Sequence, residues 1–411
     1  MPCAPGRREG GRPAVQILVF LCIALSSLAS AADKDFFVYA GTYTGFKYIS
    51  HGNPAGQSHS EGIYVSKFHA STGELVRAEL AARISNPSYL AISPDQRFLY
   101  AASEDPLSVG PSRDHQSFLH AYAIDRHSGR LRFLNSVPSG GTSTCYLAVD
   151  RSGRFVLSAS FGSGSISVLR VEKDGSLGKQ SAFVQHIGHS GTQTMAHPSS
   201  SDSSPDNRFV AVADLGLDKV LIYHFDPATG ALSPLEPDFA ALPEGSGPRH
   251  FVFDAAGKYA YLMNELTDVV SVFAWDPTRG TLGNLQNIST ELPDYVGLNH
   301  TAEIAISPNG RFLYQSNRRL GKGEVRGPDT IGVFAIDPVN GLLTLVEHAD
   351  TGGIMPRNFA IDPTGRYLLA ANEVTNNVVV FSIDASTGRL TRTGKEIMVD
   401  TPVCLQFVAA R

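Results

Sequence analysis

The chain has 411 residues, a formal net charge of −5 and four cysteines. A slight acidic excess with no stripe of lysine and arginine excludes the electrostatic footprint of a nucleic-acid binder. Cys3 and Cys22 fall in a leader segment, so Cys145 and Cys404 leave room for one disulfide in an oxidising compartment but exclude a disulfide scaffold.

The N-terminus reads as a cleaved export signal. Arg7, Arg8 and Arg12 precede the apolar run "AVQILVFLCIALSSL" (14–28), and "ASAAD" follows with small residues at Ala29 and Ala31. The run is too short for a comfortable membrane span, which disfavours the alternative of an uncleaved anchor. The expectation is a signal peptide over 1–31, export to the periplasm or the exterior after cleavage near Ala31, and one domain over 32–411. No membrane contact is expected beyond the signal.

The rest of the chain is repetitive. One signature reads "ISPDQRFLYAAS" from Ile92, "VDRSGRFVLSAS" from Val149, "SSPDNRFVAVAD" from Ser203, "FDAAGKYAYLMN" from Phe253, "ISPNGRFLYQSN" from Ile306 and "IDPTGRYLLAAN" from Ile361. Each is a strand, a tight turn and a second alternating strand. "DFFVYAGT" at Asp35 keeps only the second half. A second signature, of the type "DPATGAL", follows each with its glycine at Gly73, Gly129, Gly175, Gly230, Gly280, Gly341 and Gly388. Asp and Gly there suit a tight hairpin turn.

Seven turns mark seven units without helical periodicity, and four short strands per unit are the mark of an all-β, seven-bladed β-propeller. The first unit lacks its innermost strand, and "TPVCLQFVA" (401–409) has the pattern of "NPSYLAIS". The C-terminus is therefore expected to join the N-terminal blade and close the ring.

In a four-stranded meander the short signature turns share one face and the variable loops the other. Aligning the units places a column at the start of the innermost strand: Ser88, Cys145, Ser199, Arg249, Ala302, Arg357 and Val403. The next column is Tyr89, Tyr146, Ser200, His250, Glu303, Asn358 and Cys404. The second strand ends in Thr42, Ser103, Ser160, Asp214, Asn264, Asn317 and Asn372, followed by Tyr43, Glu104, Phe161, Leu215, Glu265, Arg318 and Glu373. His197 takes the place of Asn86 in "NPSYL".

All these residues are expected at one mouth of the channel. Small polar residues are ordinary at strand ends. Arg249, His250, Glu265, Glu303, Arg318, Arg357 and Glu373 are harder to dismiss, because charged groups converging on a concave site suit binding or catalysis. Insertions at 44–61, 104–117 and 318–330 would rim the same mouth, or else decorate the surface.

Arginines with carboxylates and a histidine suit an anionic, oxygen-rich substrate and a developing oxyanion, and Glu or His can activate water. The residues need no metal: His186, His189 and His197 match no standard zinc spacing. No cofactor motif is present either, phosphate-cradling glycine loops being absent.

The segments "GSGPRHFVFDAAGKYAYLMNEL", "AEIAISPNGRFLYQSNR", "PRNFAIDPTGRYLLAANE" and "SSPDNRFVAVADLGLDKV" resemble the seven-bladed propeller lactonases of the 6-phosphogluconolactonase type, related to carboxy-cis,cis-muconate cyclase. The resemblance covers nearly the whole mature chain. It implies a catalytic set of His197 in "HPS", Arg249 in "GPRH", Glu265 in "NEL" and Arg318 in "SNR". The chain departs from the family's His-Pro-His by placing Ser199 after Pro198, and "SSDSS" replaces an apolar strand pattern, which should weaken that strand.

The reading is an exported lactonase opening a sugar lactone, with a small-molecule lactone or anionic sugar acid as its partner. Glu265 or His197 would be the base, and Arg249 and Arg318 the anion binders. Asn264, His250, Glu303, Asn317, Arg357 and Glu373 would bind substrate. The alternatives are a non-catalytic propeller that binds a sugar or a protein, and a muconate-type cycloisomerase. The oligomeric state stays open.

Overall fold

A computed structural model describes residues 34–50, 53–104, 116–292, 295, 297–319 and 329–411. The expected signal peptide lies outside them, as do 105–115 and 320–328 of two of the mouth insertions. Seven antiparallel sheets make a ring of blades, and no helix occurs among the described residues. In blades two to seven the four strands follow one another from the channel outward, as in Pro248–Phe253, Tyr259–Asn264, Val269–Asp276 and Thr281–Ser289 of blade five.

The ring closes as the sequence implies. Pro402–Ala409 pairs antiparallel with Asp35–Thr42, from Phe36 opposite Ala409 to Gly41 opposite Cys404, and supplies the innermost strand of blade one. The insertion after Thr44 begins as a hairpin of Gly45–Ser50 and Asn53–Ser58. The serine-rich strand of blade four, Pro198–Ser203, pairs with Phe209–Asp214 despite its polarity. Its ladder to Phe209–Asp214 is joined by a bond from Tyr146 of blade three to Asp202.

Adjacent blades are fastened by a contact that links the two sequence signatures. The turn glycine of each blade lies against the aromatic ring near the start of the preceding blade's second strand. Gly175 meets Phe98, Gly230 meets Phe155, Gly280 meets Phe209, Gly341 meets Tyr259 and Gly388 meets Phe312. Gly129 against Phe37 and Gly73 against Tyr367 complete the circle. A β-carbon at any of the seven would stand 2.1–2.7 Å from a ring carbon. In four blades a buried tyrosine adds a hydrogen bond to the same glycine's carbonyl, as Tyr314 Oη does to Gly388 at 2.8 Å.

Gly388 also has φ +75°, so Gly388→Ala combines left-handed strain with a steric clash. We expect it to destabilise the protein by about 2–4 kcal/mol, read as a lower midpoint in urea unfolding at unchanged slope. An unchanged midpoint would mean that the inter-blade contact carries no energy.

Candidate functional site at the channel mouth

The innermost strands share a backbone irregularity at the mouth. Pairing with the second strand skips Ser88, Cys145, Ser199, Arg357 and Val403, each the extra residue of a β-bulge. In blades five and six the break is wider and takes in Arg249 with His250, and Ala302 with Glu303. A bulge re-aims side chains. Here it frees two successive positions from strict alternation, where charged residues are concentrated.

A second recurring device fixes the opposite column. In every blade but the sixth, the residue before the innermost strand's first paired position offers its carbonyl to the N–H just past the second strand. Gly247 accepts from Glu265 at 2.7 Å, Asn86 from Glu104 at 2.9 Å and Met355 from Glu373 at 2.8 Å. Asn86 and Met355 hold positive φ there, at 44° and 64°. Glu104, Glu265 and Glu373 are thereby positioned by backbone.

Glu265 is the centre of the charged cluster. Its Oε1 accepts from Arg318 Nη2 at 2.6 Å, and its Oε2 lies 3.5 Å from Arg249 Nη1. The arginines are aimed by carbonyls of blade six: Arg318 donates to Thr301 O at 2.9 Å, and Arg249 Nε to Ala302 O at 2.9 Å. All three side chains are buried. Burial pulls the Arg318 guanidinium down to about 10, with Arg249 and Arg357 adding to the fall and Glu265 opposing it, so it is still a cation at neutral pH.

His300, absent from the sequence-derived set, also points at this carboxylate, with Nδ1 3.7 Å from Glu265 Oε1. In blade six it occupies the slot that His197 holds in blade four, two residues before the first aligned position of the strand, Ala302 and Ser199 respectively. Extending the alignment of "HPS" with "NPS" to "HTA" would have found it.

His197 is held by different partners. Its ring stacks on Phe161 with centroids 4.3 Å apart, its N–H donates to Asp214 Oδ1 at 2.7 Å, and its Nδ1 lies 2.8 Å from Phe161 O. A carbonyl can only accept, so Nδ1 bears the proton and Nε2 of the neutral ring keeps its lone pair. Ser199, in place of the family's second histidine, is wholly buried and donates to His197 O at 3.3 Å. His186 lies between Asp214 Oδ2, at 2.6 Å, and Tyr223 Oη, at 2.9 Å, which is a structural arrangement.

Below the arginines a polar layer crosses the channel. Glu303 Oε1 accepts from His250 Nδ1 and from Ile304 N, both at 2.9 Å, and Oε2 accepts from Asn358. The rings of Tyr89 and Tyr146, 4.4 Å apart, set their faces or edges against His250. Burial lowers the His250 pKa; Glu303 opposes the fall, and Arg249 and Arg357 add to it. Arg357 lies over the Tyr43 ring at 5.3 Å, and Tyr43 Oη donates to Glu104 Oε2 at 3.0 Å. Burial alone would lower the Arg357 pKa, but Tyr43, Glu104 and Glu373 outweigh it and hold it above the ordinary arginine value.

Two residues expected to bind substrate have scaffold partners. Asn264 Nδ2 donates to Val269 O at 3.0 Å and to Ser271 Oγ at 2.9 Å. Asn317 gives both ends of its amide to Thr290, Asn299 and Thr330. Cys145 and Cys404 are free thiols, and burial pushes each up to about 12.

Asp202 lies further along the channel, accepting from Tyr146 Oη at 3.0 Å on both carboxylate oxygens. Burial, only partly offset by that hydrogen bond, pushes its carboxyl from 3.8 up to about 7. The folded state thus binds this proton more tightly than the unfolded chain. The stability it contributes is full below pH 3.8 and is lost as pH rises through about 7. Asp202→Asn should therefore raise Tm at pH 8 and leave it unchanged near pH 4; equal Tm values at pH 8 would contradict the assignment.

A family model described as seven-bladed β-propeller lactonase matches residues 37–407. The chain is 34% identical over 372 residues to a 6-phosphogluconolactonase of Bacillus subtilis (strain 168), covering 90% of this chain and 97% of the relative. It is 35% identical over 351 residues to a 6-phosphogluconolactonase of Formosa agariphila, covering 84% and 95%. Among solved structures it superposes on the periplasmic gluconolactonase of Pseudomonas aeruginosa with a TM-score of 0.80 at 32% identity, covering 92% of this chain and 100% of that one. The chain therefore belongs to the seven-bladed β-propeller lactonase family. Within it, the relatives place the protein with the 6-phosphogluconolactonase-like carboxylic ester hydrolases.

Proposed function

We propose that the protein is an exported hydrolase that opens a sugar lactone at this mouth. The observation that carries the reading is the buried Glu265 carboxylate held between Arg318 at 2.6 Å and Arg249 at 3.5 Å. Two guanidinium groups favour the ionised carboxylate, which makes Glu265 a positioning anion and a poor acceptor of a further proton. The base is then His197, whose Nε2 lone pair is fixed by the bond from Nδ1 to Phe161 O.

In the reaction His197 takes a proton from water as its oxygen bonds to the lactone carbonyl carbon. Arg249 and Arg318 stabilise the negative charge that develops on the carbonyl oxygen. The ring C–O bond then breaks, the ring oxygen leaves as a hydroxyl by taking the proton held on His197, which restores the neutral imidazole, and a hydroxy acid is released. Export is supported by the leader sequence and by the structural likeness to a periplasmic gluconolactonase.

The experiment is a pH-stat assay of the purified mature protein on a panel of sugar lactones, below neutral pH where spontaneous opening is slow. Each turnover should release one equivalent of acid at a rate above buffer. No acceleration on any lactone overturns the reading.

A further inference from the structure

His197 is held by a substitute for the device that blades five, seven and one use. At the head of each third strand one residue accepts, through its carbonyl, from the N–H just past the fourth strand. Asp218, Asp329 and Asn376 do so from Leu242, Thr351 and Val399, each at 3.0 Å. The side chain of each then caps the next blade by accepting from the N–H of the residue before the strand-opening proline: Gly247 at 2.8 Å, Met355 at 2.7 Å and Thr401 at 3.1 Å. In blade three that place belongs to Gly164, whose carbonyl accepts from His186 N at 2.9 Å. A β-carbon on Gly164 would stand 2.8 Å from Ala196 O, so no side chain there can cap His197.

Asp214 takes over that duty. It is fully buried at the end of blade four's second strand, where the aligned residues of the other blades, Thr42, Ser103, Ser160, Asn264, Asn317 and Asn372, are all uncharged. Its Oδ1 accepts from His197 N at 2.7 Å, Gly216 N at 3.0 Å and Leu217 N at 3.2 Å, and its Oδ2 from His186 Nδ1 at 2.6 Å. One carboxyl group thus closes both ends of the crossing 187–196. The crossing runs flush against Gly216, where a β-carbon would stand 2.0 Å from Met195 O. Leu215 N donates to His197 O at 3.0 Å, so both backbone groups of His197 are gripped by the end of one strand. The backbone held there sets the ring on Phe161, with Nδ1 2.8 Å from Phe161 O.

Resting on the lactonase reading, we propose that Asp214 is the positioning residue of the site. It replaces the cap missing at Gly164, closes the crossing 187–196 and holds the His197 imidazole where Nε2 can take a proton from water. It acts through His197 and needs no contact with substrate. Misplacing a reacting group by about 1 Å can cost roughly 10²-fold in rate, so loss of this cap should be felt in kcat.

The test pairs Asp214→Ser, one bond too short to reach His197 N, with Asp214→Asn, which keeps an oxygen for it. On a sugar lactone, kcat should fall by at least about tenfold in Asp214→Ser with KM within about threefold, and stay within about threefold of wild type in Asp214→Asn. Asp150→Ser is the control for lost stability. Asp150 is buried on the opposite face and accepts from Arg154 N and Phe155 N at 2.8 Å, so its loss should lower the urea midpoint without changing kcat. Nitrogen NMR of isotope-labelled histidine rings reads the position without turnover. The His197 signal, identified by its absence from His197→Gln, should show the Nδ1–H tautomer in wild type and Asp214→Asn and lose it in Asp214→Ser. An unchanged tautomer or full kcat in Asp214→Ser overturns the proposal while the lactonase reading stands. A tautomer that depends on Asp214 in a protein that opens no lactone would instead defeat that reading, and the catalytic meaning of Asp214 with it.

Discussion

His197→Gln should lower kcat by roughly 10²–10³-fold with little change in KM, the range that a positioned proton acceptor commonly supplies. Glutamine can keep a polar contact with Phe161 O and preserve packing on the Phe161 ring, but it offers no basic nitrogen. The fold should be unaffected, because the structural duty of this residue runs through its backbone N–H to Asp214. A parallel measurement of Tm separates the two contributions. If kcat stays within a factor of three of wild type, His197 is not the base.

Arg318→Met should have a comparable effect on kcat and, unlike the histidine change, a large effect on stability. The variant roughly conserves volume while removing the 2.6 Å bond to Glu265 and the donors to Thr301 O and His300 O. Breaking one side of a buried ion pair commonly costs about 3–5 kcal/mol. Arg249 and His300 stay beside Glu265 and moderate that loss, so about 2–3 kcal/mol is expected. Losing an oxyanion donor costs roughly 10²–10³ in kcat. Urea unfolding and steady-state kinetics on the same preparation check both, and a stable variant with full activity would dissociate Arg318 from both roles.

The architecture was legible because it is written locally and seven times over. The Asp-Gly turns and alternating runs specify hairpins, and the truncated first repeat beside the C-terminal "TPVCLQFVA" gave away the closure between Asp35–Thr42 and Pro402–Ala409. The same alignment brought Arg249, Glu265 and Arg318 to one mouth, since residues at equivalent strand positions of successive blades meet around a common axis.

What the alignment could not supply is non-local. That Asn317 is consumed by Thr290, Asn299 and Thr330 depends on the crossing between blades five and six, whose path no repeat dictates. His300 escaped because blade six has Thr301 where five of the other blades have the proline that marks the start of the strand. The packing of each turn glycine beneath an aromatic ring of the neighbouring blade lay hidden in two signatures that seemed independent. The sequence also shows arginines without showing what compensates them. Only the structure shows Glu265 between Arg249 and Arg318, and Glu104 and Glu373 about Arg357.

In the proposed mechanism Glu265, by holding Arg249 and Arg318, makes this mouth a lactone-opening site. Its most direct test is the background-corrected initial rate of lactone opening by the wild-type protein and by Glu265→Gln, at one pH below neutrality. A rapid wild-type rate with a loss of at least about 100-fold in the variant is predicted. Equal rates in the two proteins would contradict it.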